Sequence, residues 1–156
     1  MGKFDSLKRT GINLSDGNIH IKISGQRVAG NLERAQMYLD QVVLEDSNKY
    51  VPFRSGNLRQ SGIRNTVLGE GKVTWETPYA HYQYQGMLYV DPKTGLGAFY
   101  SPDYGYWSRK DVPKIPTDRP LRHTTPGTGP LWFETAKRVH GKDWIKGTKR
   151  IAGGKI

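Results

Sequence analysis

Cysteine is absent from the 156 residues, which excludes a disulfide framework and any thiolate metal site. No window approaches the ~20 consecutive apolar residues of a membrane span, and the start, Met1 to Arg9, has no apolar centre of the kind an export signal carries. The chain is therefore expected to be soluble and unexported, with no membrane contact. Acidic side chains are scarce, 14 against 24 Lys and Arg, for a net charge of +10. Apolar residues are only 35%, while Gly numbers 19 and Pro 9, so much of the chain must be turn, arm or surface and a lone subunit would have a thin core.

Recognisable catalytic patterns are missing as well. His20, His81, His123 and His140 share no metal-binding spacing, and no Walker loop, nucleophile elbow or His-Glu-x-x-His helix occurs. Thr125 to Gly129 lacks the Gly-Lys-Thr continuation of a phosphate loop and reads as a turn. Glu134 and Asp143 lie nine residues apart, two and a half helical turns, which does not bring their carboxylates together. No catalytic residue, metal or cofactor is expected, and the chain is not expected to be an enzyme.

What the sequence does have is aromatic surface and an uneven charge. Four Trp, nine Tyr and four Phe suit subunit interfaces as well as a core. Residues 1–108 carry 12 Lys/Arg against 10 Asp/Glu, whereas residues 109–156 carry 12 against 4. A basic C-terminal third implies an acidic partner, either nucleic acid or an acidic protein surface.

Hydrophobic periodicity sketches the fold. Residues 18–23 alternate with Ile19, Ile21 and Ile23 on one face, which predicts an edge strand. Ser24 can cap a long helix over about 26–47, with Val28, Leu32, Ala35, Leu39, Val42 and Val43 at spacings of three and four. Pro52 ends it, and Ser55 can cap a short turn through Leu58 to Gln60. Residues 63–68 and 72–76 predict a hairpin through Gly69-Glu70-Gly71, with Val73 and Trp75 facing the long helix. Thr77-Pro78 opens a short helical segment that Gly86 ends. Leu88 to Val90 and Ala98 to Tyr100 predict a second, protruding hairpin. Pro130 is placed as the first residue of a last helix with a break at Gly141, and residues 142–156 form a basic tail that is mobile unless bound. The expected class is α+β: one domain over 1–156, with a core at about 18–86 plus 130–141, an inserted arm at 87–129 and the tail. A small antiparallel sheet would be packed by the long and the C-terminal helices.

The order of motifs adds a resemblance. Pro52 with Ser55-Gly56-Asn57-Leu58-Arg59-Gln60-Ser61, then Tyr79-Ala80-His81-Tyr82-Gln83 with Gly86, then Pro130-Leu131-Trp132-Phe133-Glu134-Thr135-Ala136-Lys137, is similar to the minor capsid, or head-tail joining, proteins of long-tailed bacteriophages. The resemblance implies a structural virion protein, made in the host bacterial cytoplasm and placed at the neck. There it would form an oligomeric ring, six-fold by analogy, between connector and tail proteins. Gly56 would bend the corner, Leu58 would pin it and Arg59 would be left for a charged partner. Interface residues are expected at Arg54, Arg59, Tyr89, Phe99, Tyr100, Tyr104, Tyr106 and Trp107, and contacts with DNA or an acidic surface at Lys142, Lys146, Lys149 and Arg150. The rival reading is a nucleic-acid-binding module that holds DNA, including the phage genome, through its basic C-terminal third.

Overall fold

The computed structural model describes residues 2–153; Met1 and the last three residues of the expected tail lie outside the described residues. The chain is α+β. A short helix α1 (Asp5–Lys8) leads into strands β1 (Gly11–Asp16) and β2 (Ile19–Ser24), then the long helix α2 (Gly25–Tyr50). Next come α3 (Asn57–Asn65), α4 (Ala80–Gln85), β3 (Met87–Val90), β4 (Phe99–Ser101), β5 (Gly105–Trp107), β6 (Ile115–Pro120) and α5 (Trp132–Ala152). Among the described residues there are, in place of one sheet, three separate two-stranded antiparallel ladders, β1–β2, β3–β6 and β4–β5.

The predicted edge strand and long helix are present. The strand is β2; its partner β1 is not among the predicted elements, although Ile12 and Leu14 alternate with polar residues and Gly17-Asn18 forms a two-residue hairpin loop. Ser24 Oγ accepts from the Arg27 N–H at 3.5 Å, capping α2 as its sequence position suggested. Helix α5 packs along much of α2, and among the described residues this helix pair makes the most extensive tertiary contact. The core proper is small: Val51, Leu58, Ala80 and Trp132 are buried, with Tyr50, Trp75, Tyr84 and Phe133 packed around them. Trp132 meets Trp75 and Tyr84 edge-on at centroid distances of 5.9 and 4.7 Å, the geometry that ring quadrupoles favour.

The hairpin expected over 63–68 and 72–76 does not form. Residues up to Asn65 belong to α3, which buries Leu58, Ser61 and Gly62, and the following segment is irregular. Side chains hold its backbone where a partner strand was expected. Asp40 accepts from the Gly69 and Gly71 N–H groups at 2.8 and 2.9 Å, Thr66 Oγ1 from Thr74 N, and Ser61 Oγ from Glu76 N. Trp75 nonetheless reaches the long helix, its indole N–H donating to Asn48 Oδ1 at 2.8 Å.

The last helix differs at both ends. It starts at Trp132 rather than Pro130, because Pro130 lies against Gly86 and the Leu131 N–H donates to Tyr84 O at 3.0 Å. A Cβ on Gly86 would stand 2.5 Å from that of Pro130, and Gly86 also needs φ +72 to end α4, so both conditions demand glycine there. At the other end, α5 runs through Gly141 to Ala152, and the mobile tail is corrected to helix over its described part. Gly costs ~1 kcal/mol in a helix interior. Buried Trp144, which donates to Asp46 Oδ2 at 2.7 Å, and the close seating of Tyr38 on Gly147 offset that cost.

The arm is also paired differently. Leu88 to Val90 belong to β3, which pairs with β6, while Phe99 and Tyr100 belong to β4, which pairs with β5. The first ladder brings the chain back to the body, where the Leu121 N–H donates to Gly86 O at 2.8 Å. Only the second ladder projects as a short ribbon.

Candidate assembly surfaces

The β4–β5 ribbon gathers most of the expected interface residues. Phe99 stacks on Trp107 at 4.8 Å, Tyr100 pairs with Tyr106 across the strands at 5.1 Å, and Tyr104 at the turn is 85% exposed. Tyr100, Tyr106 and Trp107 are exposed too. Tyr89 is not part of this cluster. It sits on β3, half-buried against Tyr82 at 4.8 Å, with His81 beside it.

The ribbon has a stiff root. Asp91 is buried and receives Arg109 Nε and Nη2 at 2.8 and 2.9 Å, plus the Lys93 and Thr94 N–H groups. Burial alone would raise the Asp91 carboxyl, but the Lys93 N–H and the Arg109 guanidinium reverse that and hold it below the ordinary carboxylate range. Arg109 also covers the Phe99 ring at 5.9 Å, and Lys114 donates to Gly97 O. A paired Arg with two fixed donors orients the loop as a single ammonium would not. The aromatic residues were legible in the sequence; the Asp91–Arg109 bracket, 18 residues apart, was not.

Arg54 and Arg59 part company. Arg54 is exposed beside a recess that Phe53, Gln83, Arg122 and His123 also line. Arg59 is half-buried and turned inward. Its Nε and Nη2 donate to Val51 O at 3.1 and 2.9 Å and Nη2 reaches Lys49 O at 3.5 Å, while the guanidinium lies over Phe53 at 5.0 Å. The Ser-Gly-x-Leu-Arg corner thus closes the carbonyl end of α2, where a cation is favoured, instead of leaving Arg59 free for a partner. Gly56 has φ +83 and Leu58 is buried, as that corner requires.

Lys142, Lys146, Lys149 and Arg150 are all exposed on α5, and at 100° per residue they fall on one side of the helix together with exposed Arg138. Continuation of the helix past Gly141 turns what looked like a loose basic tail into a rigid stripe.

Between α2, α4, α5 and the segment after α3 lies an open, mainly apolar groove of about 740 Å³. Leu39 and Val43 of the predicted apolar stripe line it with Val73, Phe133 and Ile145, and Lys137 stands at its side. Nearby, Asp46 joins the helices. Burial pushes its carboxyl up, but the Lys49 and Trp144 donors and His140 more than reverse this and lower it. His140 Nε2 lies 3.2 Å from the Tyr50 hydroxyl, and His123, paired with Gln83 Oε1 at 3.1 Å, is lowered by burial. Among the described residues no cluster of three or more His, Cys, Asp or Glu could hold a metal ion, and no helix is long and apolar enough to cross a membrane.

The chain is thus α+β, with exposed aromatic residues on the β4–β5 ribbon and exposed cations along α5. The profile of one family, described as minor capsid protein, matches residues 12–102, more than half of the chain. The chain belongs to this minor capsid protein family of phages, with a structural role in the virion. The matched span runs from β1 to β4 and leaves out β5, β6 and α5. Neither a curated protein nor a solved structure matches the chain.

Proposed function

We propose that this minor capsid protein serves at the phage neck, where copies of it form a ring that completes the junction between the head connector and the tail tube. The observation that carries the reading is the braced aromatic ribbon. Tyr100, Tyr104, Tyr106 and Trp107 stand in solvent on a two-stranded ladder whose root is held by the Asp91–Arg109 pair. Aromatic side chains presented on a stiff support lose little entropy on docking, which is the property of interface anchors. The ribbon clasps an adjacent subunit or the next ring.

The basic stripe of α5 supports a second contact, with packaged DNA or with an acidic connector surface. Five cations on one helix face, from Arg138 to Arg150, span about 18 Å, enough to meet several phosphates. A DNA-binding module without an assembly role is the alternative.

Replacing residues 99–107 by a short Gly-Ser turn in the phage gene should leave soluble protein, filled heads and free tails that fail to join. Normal joining would refute the clasp. Purified protein separates the alternatives: an assembly subunit forms rings or docks on tails, whereas a pure DNA-binding module only binds DNA, with affinity falling roughly tenfold or more between low and physiological salt.

A further inference from the structure

The β1–β2 ribbon takes no part in the surfaces described so far, yet it carries the most unusual exposed face of the chain. Its register places Ile12 opposite Ile23, Leu14 opposite Ile21 and Asp16 opposite Ile19. Directly paired residues share a face of the ladder, so Ile12, Leu14, Ile19, Ile21 and Ile23 form one aliphatic surface that ends in Asp16. Asn13, Ser15, His20 and Lys22 occupy the other face. All five aliphatic residues are between 42% and 64% exposed. A two-stranded ribbon is marginal by itself in water, and five adjacent uncovered aliphatics mark a docking face.

The same chain has a complementary receptor. The groove between α2 and α5 is apolar and open, of a size to accept several aliphatic side chains. At its side, Lys137 makes only a cation–π contact with Phe133, at 5.9 Å, among the described residues. The Asp16 carboxylate, at the end of β1, has no hydrogen bond or ion pair among the described residues. The ribbon of a subunit does not fill that subunit's own groove, since its aliphatics are exposed. On α2 the groove begins at Gln36, about 16 Å along the axis from the ribbon root at Gly25.

We infer that the aliphatic face of β1–β2 in one copy seats in the α2–α5 groove of the next copy, with Asp16 meeting Lys137. Donor and receptor are different surfaces, so the contact is head-to-tail, the type that closes into rings when its rotation allows. The six residues on this face of the ribbon supply about a quarter of the 20–30 residues per side of a standard interface, and the aromatic ribbon can supply others. This docking presupposes the oligomer proposed above.

The absence of cysteine makes a direct test available. Leu14→Cys and Ile145→Cys chains are prepared separately, mixed, and treated with a short bismaleimide; both positions are exposed, and circular dichroism checks that each variant is folded. Cross-linked dimer in the mixture, and little in either variant alone, is expected. Dimer from Leu14→Cys alone would mean that ribbons meet ribbons and would overturn the seating while sparing the oligomer. Oligomers in light scattering with no cross-link in the mixture would overturn it likewise. A strictly monomeric wild-type chain would overturn the oligomer itself. A charge exchange gives an independent readout: Asp16→Lys should weaken self-association about tenfold, and adding Lys137→Glu should restore it. Failure of the second change to restore association would remove the Asp16–Lys137 contact.

Discussion

The helical body and the two ribbons use the same apolar and aromatic residue types to opposite ends. In the body, Trp132 is 2% exposed and wedged between Trp75 and Tyr84; on the ribbons, Leu14, Ile21, Tyr104 and Tyr106 stand in solvent. Burial within one chain stabilises the fold, whereas burial deferred to an assembly stabilises the complex. Substitutions in the two regions should therefore separate cleanly, with body changes lowering the melting temperature and ribbon changes altering association.

The largest effect is expected in the body. Trp132→Ala should cost about 3–5 kcal/mol, a large part of the stability of a domain this size, and would be seen as a steep drop in thermal and denaturant midpoints. Trp132→Phe should cost much less, because it keeps a ring while removing an indole N–H that is buried without an acceptor among the described residues. Next comes Asp40→Ala. It strands the Gly69 and Gly71 N–H groups and should cost about 2 kcal/mol or more, with faster amide hydrogen exchange confined to residues 66–76.

Ribbon changes should leave the midpoint almost untouched. Tyr104→Ser combined with Tyr106→Ser should move stability by no more than about 0.5 kcal/mol while lowering the yield of joined particles. A loss of stability comparable to that of Asp40→Ala would place these tyrosines in the fold rather than in the contact.

The smallest expected effect is on pH. His123 has its folded pKa lowered from the ordinary 6.5 by burial, so protonation favours the unfolded chain. Stability should decline as pH falls from about 6.5 toward the folded value, and His123→Gln should flatten that part of the profile. Asp46 acts lower on the scale. Its folded pKa lies below 3.8, so its contribution is present above that pH and is lost as pH falls through the folded value.

Much of this division could be read in the sequence, unevenly. The α2 helix was legible because its period, the Ser24 cap and the Pro52 stop agree. The Ser55 to Ser61 corner was legible as a corner, although Arg59 proved to serve the α2 terminus. What stayed hidden depends on distant partners. Asp40 holds a loop about thirty residues away, which removed the hairpin expected there. Gly141 has the local signature of a helix end, but Trp144 bonding to Asp46, 98 residues away, keeps the helix going. Strands of three or four residues carry too little alternation to reveal their partners, so β3 and β4 were paired with one another rather than with β6 and β5. The aliphatic alternation of β2 was visible, but the sequence did not show that its own chain leaves it uncovered.

The central claim is that projections drive association while the body holds the fold. Sedimentation velocity on a variant carrying Leu14→Asp, Ile21→Asp and Tyr104→Ser, measured beside wild type, tests it most directly. The account requires multi-copy wild type and a monomeric variant with an unchanged melting temperature. A variant that sediments like wild type, or one that loses its copies only by unfolding, would contradict it.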